Sequence, residues 1–467
     1  MDQPFDMVVK VVGCGSAGVL REIAGIARAL AAHGVFVIGQ EGRPGGAAGE
    51  VGVTLRLASR SFHSMGHGCD VLLYVGDGIP EFRRYGLQRG SVLLWEPPEQ
   101  ERLRPLIPDG LTVYAVPLGQ LSDPHEVLSG RGCAALGALC QLLGVPKAAL
   151  NACTSIGSAP RSFEAGFDFA ARCVAKRDVY SIPLKTGDGS PWMLTGEQAA
   201  KLGFAVGSCV GKMSGGKEFD ESPETWLRRH LDLADGMVSV LRSEMHPSAQ
   251  VYRGPEGTVI ALFGGDDAAI HACINGHRRP RVVVAADVRD IVRLLIDGQR
   301  LVRDDQADIV VVALDDELAV RQHNIEVGAL RNFVAGCLSV SFSDAQRFAS
   351  TRERTALEQD PHGVAAVGYV AWGTAQGVVR DALTLCREFG LNVSALYPID
   401  VVPFPIRELE CFAQTVGRVV LVESTEANGY ADRVVGACCF PVSVVRPERG
   451  EMLTPMEIFL REGLGTV

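Results

Sequence analysis

Short apolar runs alternate with amphipathic stretches along most of the chain. Val8-Val9-Lys10-Val11-Val12 reads as a buried strand, and Val19 to Ala32 as the helix that follows it. Val35-Phe36-Val37-Ile38 predicts a second strand, and Val51 to Leu57 alternates as a third. Asp70 to Val75, Ser91 to Trp95 and Leu111 to Val116 are three further strand candidates. Later, Val282 to Ala286, Ile291 to Leu295 and Ile309 to Leu314 predict strand, helix, strand. Near the C-terminus Val364 to Val370 is a strand, and Gly373-Thr374-Ala375-Gln376-Gly377 leads into a helix carrying Ala382, Leu383, Leu385 and Phe389. Val393 restarts a strand that Tyr397-Pro398 closes, Pro403-Phe404-Pro405 starts a helix, and Arg418 to Glu423 is one more strand before Asn428-Gly429. Strands alternating with helices predict a multi-domain α/β protein with mostly parallel sheets.

Polar stretches divide this pattern. Lys176 to Pro191, charged and containing Gly and Pro, reads as a linker. Residues 319–362 are polar and read as a connecting arm. A length of 467 residues accommodates two to four domains.

Composition narrows the function classes. The apolar fraction is 47% and the net charge −10, so the basic footprint of a nucleic-acid protein is missing. No apolar run reaches membrane-spanning length, and the acidic start Met1 to Asp6 is unlike a secretion signal. Thirteen scattered cysteines include no Cys-x-x-Cys pair and no zinc or iron–sulfur spacing. Buried thiols in a reducing cytoplasm are the expectation.

Gly13-x-Gly15-x-x-Gly18 follows a strand and opens a helix, the setting in which backbone N–H groups hold a pyrophosphate. A dinucleotide reading needs an acidic residue ending the second strand, and Gln40-Glu41 is available. The same glycines also suit a tight turn with close packing.

The order of elements from Val364 to Gly429 resembles the transketolase C-terminal-like domain of the 2-oxoacid:ferredoxin (acceptor) oxidoreductases. The first segment resembles the gamma domain of that family. Gly13, Gly15 and Gly18-Val19 match its Gly-x-Gly-Gly-Gln-Gly-Val opening, with Ala17 in place of Gln. Glu41 to Ala47 matches its Arg-Gly-Gly loop through Arg43, Gly45 and Gly46, with Pro44 inserted. The helix Gly132 to Leu139 also fits. Leu194 to Gly203 is similar to the start of the alpha subunit's pyrimidine-binding domain, although Thr195 with Gln198 equally suits an ordinary N-cap.

The middle of the chain departs from the family. The substrate-facing Tyr-Pro-Ile-Thr-Pro-Ser-Ser loop has its nearest counterpart at Ser222 to Leu227, without the Thr-Pro pair. Glu244, after Val238 to Leu241, matches the carboxylate presented to the aminopyrimidine ring, and a solvated glutamate at a strand end is the other reading. Gly76-Asp77-Gly78, Gly187-Asp188-Gly189 and Gly264-Gly265-Asp266-Asp267 lack the asparagine spacing of the magnesium–diphosphate motif and read as turns. His271, His277, Arg278 and Arg279 suggest anion binding or a solvated basic loop.

The resemblance implies a gamma-type α/β domain over residues 1–175, a shortened pyrimidine-binding-like domain over 192–318, the arm 319–362 and a transketolase C-terminal-like domain over 363–467. It implies a fused gamma–alpha subunit that converts a 2-oxoacid to an acyl-CoA, with coenzyme A as substrate and electrons passing to ferredoxin. Thiamine diphosphate and Mg would be shared with a partner beta subunit, and that partner alone would carry a [4Fe–4S] cluster. The chain would then be one member of a cytoplasmic hetero-oligomer. Gly13, Gly15, Gly18, Arg43, Gly45, Gly46 and Ser222 would contact cofactor or substrate, and Glu244 would be catalytic. A catalytically degenerate assembly subunit and a Rossmann-type nucleotide-binding protein remain open alternatives.

Overall fold

The computed structural model describes residues 4–13, 17–42, 52–76, 82–96, 107–126, 129–151, 161–184, 192–210, 249–254, 257–263, 267–314, 318, 321–325, 355–358, 365–423, 430–447 and 453–463. The chain divides into two compact units, Met1–Met193 and Leu194–Val467.

The first unit opens with β1 (Asp6–Val12), α1 (Ala17–Ala32), β2 (Phe36–Gly42), β3 (Gly52–Ala58), β4 (Cys69–Tyr74), β5 (Leu87–Trp95) and β6 (Thr112–Ala115). Helices α2 (Leu118–Leu121), α3 (Gly130–Leu142), α4 (Lys147–Asn151) and α5 (Arg161–Cys173) follow. Its strands stand in the order β6-β5-β4-β1-β3-β2. β1, β4, β5 and β6 run parallel, while β3 runs antiparallel to both β1 and β2. Val9, Val11, Leu73 and Leu94 pack on one face with Ile23 and Leu30 of α1 and Leu136 of α3. Val12, Leu72, Tyr74 and Trp95 face the other way, among Phe82 and Tyr85. Burial on both faces explains why these strands are nearly uninterrupted apolar runs.

β3 lies between β1 and β2. One feature of the first unit differs from the sequence reading: the presumed linker is anchored over residues 176–182. Lys176 Nζ donates to the carbonyls of Leu142 and Tyr180 at 2.6 and 2.7 Å, and Ile182 N donates to Leu143 O at 2.8 Å with its side chain buried. Lys176 and Arg177 are exposed yet hydrogen-bonded to the unit, and the Asp178 side chain is buried.

In the second unit β7 (Trp192–Thr195), at the boundary, leads into α6 (Gly196–Val210). The expected cap is a full capping box: Thr195 N donates to Gln198 Oε1 at 3.0 Å, and Gln198 N to Thr195 Oγ1 at 3.2 Å. Thr195→Ala should cost about 1 kcal/mol of unfolding free energy, measurable by urea denaturation. Next come β8 (Ala249–Gly254), β9 (Gly257–Phe263), α7 (Asp267–Ile274), β10 (Pro280–Val284), α8 (Val288–Arg303) and β11 (Ile309–Leu314). β9, β11 and β10 are parallel, and β8 closes an antiparallel hairpin on β9.

β12 (Gln322–Ile325), β13 (Thr355–Glu358), β14 (Ala365–Ala371), α9 (Ala375–Glu388), β15 (Val393–Pro398) and β16 (Asp400–Val402) follow. The last elements are α10 (Ile406–Ala413), β17 (Val416–Val422), α11 (Tyr430–Ala437), β18 (Val442–Val445) and α12 (Pro455–Ile458). The C-terminal sheet has the order β13-β15-β14-β17-β18, and β16 leaves it to pair antiparallel with β10. One apolar cluster spans both sheets, taking Leu262, Val282 and Val311 from one and Val370, Leu396 and Leu421 from the other. Phe389, read as carried by this helix, is its C-cap and 71% exposed. Its ring lies 5.0 Å from that of Phe459.

Candidate functional site

Strand register places several sequence motifs at one edge of the first sheet. Ala115, Trp95, Tyr74, Val12, Gly52 and Gly42 form a single row across β6, β5, β4, β1, β3 and β2. Gly13 follows Val12, and Arg43 follows Gly42. Gly13 and the described ends Gly42 of β2 and Gly52 of β3 therefore lie at the same end of the sheet, Gly42 two strand spacings or about 10 Å from Val12. The chain moves to one side of β1 to build β2 and β3, then to the other side to build β4. The ends of β1 and β4 are thus a topological switch point, where open α/β sheets bind ligands.

Glycine is required at position 13, and glycine also stands opposite it at position 76. Gly13 has φ +83, and a Cβ there would lie 2.7 Å from Gly76 N. A Cβ on Gly76 would lie 2.6 Å from Tyr74 Cζ. Val75 N donates to Val12 O at 2.9 Å, carrying the β1–β4 ladder up to the two glycines. Gly18 is the second residue of α1. A Cβ on Gly132 would meet Val19 Cγ2 at 2.5 Å, so the first turns of α1 and α3 touch. Two helix N-termini, each with a partial positive charge, therefore lie together beside the glycine turn.

Carboxylates line the same region. Glu126 Oε1 accepts from Arg161 N at 2.9 Å. Glu96, directly after β5, accepts from Gly119 N at 3.0 Å and from Arg131 Nη2 at 3.1 Å. Burial raises the Glu22 carboxyl above its usual range; Arg21 opposes this and Glu126 adds to it. A carboxyl raised by folding destabilises the folded state once pH exceeds its unfolded value. Glu22→Gln should therefore raise the melting temperature at neutral pH, and the gain should vanish below about pH 4, where glutamate is neutral in both states. Thermal unfolding at both pH values checks this.

Burial also pushes the Cys133 thiol up to about 12, with Glu22 and Glu126 adding and a Ser129 hydrogen bond opposing. Burial alone takes Cys140 to about 12. Both thiols stay protonated near neutral pH and are poor nucleophiles. Among the described residues no three His, Cys, Asp or Glu side chains are grouped to hold a metal ion. No helix among them is long and apolar enough to cross a membrane.

Of the residues singled out from sequence, Gly13 and Gly18 lie at this edge. Gly15, Arg43, Gly45, Gly46, Ser222 and Glu244 lie outside the described residues. The basic turn around His277 is tied internally. Arg278 N and Arg279 N donate to Asp308 at 2.7 and 3.1 Å, and the Arg279 guanidinium pairs with Asp305. The dinucleotide reading loses its geometric support. It needs an acidic residue on the strand beside β1, and β3 separates β1 from Gln40-Glu41 on β2. Sequence reasoning missed Glu96 and Arg131; the only signal was a charged residue directly after the apolar run ending at Trp95.

In the second unit, Glu423 at the end of β17 is fully buried. It accepts from Ala431 N at 2.8 Å and from Arg446 Nε at 2.7 Å, and Arg446 also binds Asp432 at 2.7 Å. These bonds fix where the chain leaves β17 and where it re-enters at α11.

Among solved structures, the chain is similar to a 2-oxoglutarate:ferredoxin oxidoreductase from Magnetococcus marinus. The match covers 98% of each chain with TM-score 0.74 and 18% identity. The chain has the fold of the 2-oxoacid:ferredoxin oxidoreductases. This α/β fold runs through both units. The gamma subunit of a keto/oxoacid ferredoxin oxidoreductase from Geobacter sulfurreducens matches 36% of this chain and 98% of its own length, at 19% identity and TM-score 0.29. An inactive split-gene transketolase matches 40% of this chain and 55% of its own, at 16% identity and TM-score 0.26. No family model matches the sequence, and no curated protein matches it.

Proposed function

We propose that this chain is a fused gamma–alpha subunit of a thiamine-dependent 2-oxoacid:acceptor oxidoreductase. The observation that carries the reading is the end-to-end fold match with the Magnetococcus marinus enzyme, whose structure holds 2-oxoglutarate, coenzyme A and succinyl-CoA. The reaction would take a 2-oxoacid and coenzyme A to an acyl-CoA and CO2, releasing two electrons and a proton. Ferredoxin would take up the electrons.

In this reading residues 1–175 form the gamma domain, 192–318 the shortened pyrimidine-binding-like domain and 363–467 the transketolase C-terminal-like domain. The edge carrying Gly13, Gly15, Gly18, Arg43, Gly45 and Gly46 would hold the phosphates of coenzyme A, through backbone N–H groups, the guanidinium and the helix ends. Ser222 would face the substrate. Glu244 would share a proton with the aminopyrimidine ring nitrogen; this role rests on the sequence motif alone. Thiamine diphosphate, when bound, supplies an electron sink for the carbanion left by decarboxylation. A partner beta subunit would hold it through Mg and carry the [4Fe–4S] cluster, in a cytoplasmic hetero-oligomer.

Purification of the tagged chain from its native host tests the assembly. A stoichiometric partner with thiamine diphosphate and iron supports the proposal. A lone, colourless, cofactor-free chain would contradict it and favour an assembly role without catalysis.

A further inference from the structure

A cavity lies in the core of the first unit, between the sheet and the helices α1 and α3. Val9 and Val11 of β1, Leu57 of β3, Ile23 of α1 and Leu136 of α3 line it, with Ile182 from the anchored segment beside them. The centre of a water-sized sphere has about 20 Å3 in which to move there.

The walls cannot easily close on this space. α3 rests backbone against backbone on α5, since a Cβ on Gly137 would land on Phe163 O and one on Gly166 on Ala134 O. Moving α3 toward the sheet would break that contact. Val145 N donates to Cys140 O at 2.9 Å and Ile182 N to Leu143 O at 2.8 Å, which fixes the end of α3 and the segment packed beside it. β1 and β3 are paired along their whole length, so the floor is equally fixed. Cavities persist where the surroundings relax only in part.

The lining decides what can occupy it. The surface facing the cavity is apolar throughout. A buried water is held by about three hydrogen bonds, and these walls offer none. The one heteroatom among the lining side chains is the Cys140 sulfur, a weak donor that burial keeps protonated, with its pKa pushed up to about 12. An apolar guest instead gains dispersion contacts on every side. Size sets the upper limit. An apolar cavity of about 150 Å3 takes benzene, and this one is several times smaller. It still exceeds the roughly 10–15 Å3 that one water-sized molecule needs. Of the lining residues Ile26, on α1, is the one that is partly exposed, which puts the way in beside it.

We propose that this cavity is a binding site for a small apolar gas, one or two heavy atoms in size and without hydrogen-bonding groups, of which dioxygen is the type. The site does not depend on the reaction proposed above.

Xenon, a heavy stand-in for dioxygen, tests it in crystals of the full chain. Under xenon pressure an anomalous peak is expected between Val11, Leu57 and Leu136, and unpressurised crystals should show no ordered water there. In solution, paramagnetic dioxygen should broaden the methyl resonances of Ile23 and Ile182 more than those of Val311 and Val420, which are buried in the second unit. Val11→Ile places an added methylene where the guest would sit and should remove both the peak and the extra broadening. Val145→Ile, at another lining residue, serves if Val11→Ile fails to fold. An ordered water in the cavity, no xenon peak in wild type, or xenon in the crystal without broadening by dioxygen in solution would each overturn the proposal. So would a peak that survives both substitutions.

Discussion

Gly166→Ala is expected to destabilise the first unit by about 3 kcal/mol or more, the upper end of what core overpacking costs. The reason is backbone contact between α3 and α5. A Cβ on Gly166 would land on the carbonyl oxygen of Ala134, with the carbonyl carbon at 2.6 Å and Cα at 2.9 Å. The contact is reciprocal: a Cβ on Gly137 would land on Phe163 O, with Phe163 C and Phe167 N at 2.9 Å. A side chain could rotate away from an added methyl, but these backbone atoms cannot move without parting the helices. α3 is buried along most of its length, so separation would open the core under β1 and β4 and disturb the glycine edge. Gly436, in α11, is the control. A Cβ there meets nothing within 4 Å, and Gly436→Ala should stabilise by about 0.5–1 kcal/mol through helix propensity. Urea denaturation of the three proteins distinguishes the outcomes, and equal midpoints for Gly166→Ala and wild type would refute close backbone packing.

The second large effect concerns catalysis. Glu244→Gln is expected to lower 2-oxoacid oxidation about 100-fold or more, the scale of a lost acid–base group. The amide is nearly isosteric but cannot share a proton with a ring nitrogen as a carboxylate does. Partner stoichiometry and bound thiamine diphosphate should stay at wild-type levels, which separates a chemical defect from failed assembly. Activity within a few-fold of wild type would remove Glu244 from the mechanism and favour the degenerate-subunit alternative.

Much of the fold was legible because burial writes itself into sequence. Val282 to Ala286 and Ile309 to Leu314 each show an unbroken apolar run, Val8 to Val12 is broken only by Lys10, and each coincides with a strand buried on both faces or nearly so. Thr195 and Gln198 form the reciprocal cap that their spacing implied, since that motif is local. Strand order was not legible. Alternation in Val51 to Leu57 identifies β3, but pairing partners distant in sequence decide that it sits between β1 and β2. Short edge strands such as β13, β16 and β18 have too few residues for a period to register. The segment after residue 175 reads as a linker from its charge and its Gly and Pro, and only the fold reveals the carbonyls and the tyrosine that Lys176 and Asp178 bind.

The candidate site was legible in part. Gly13 stood out because a turn between strand and helix needs positive φ, and the structure adds Gly76 as the neighbour that forbids a side chain there. In sequence Gly76 was visible only as part of a turn. That Gly42 stands in the same row of the sheet as Val12 depends on the β1–β3–β2 register, which no local pattern encodes.

The most direct measurement is product formation by the complex that co-purifies with this chain, supplied with a panel of 2-oxoacids, coenzyme A and a low-potential one-electron acceptor. The account predicts acyl-CoA and CO2 in equal amounts, with two acceptor molecules reduced per turnover and strict dependence on thiamine diphosphate. A cofactor-loaded complex that forms no acyl-CoA from any 2-oxoacid would contradict it.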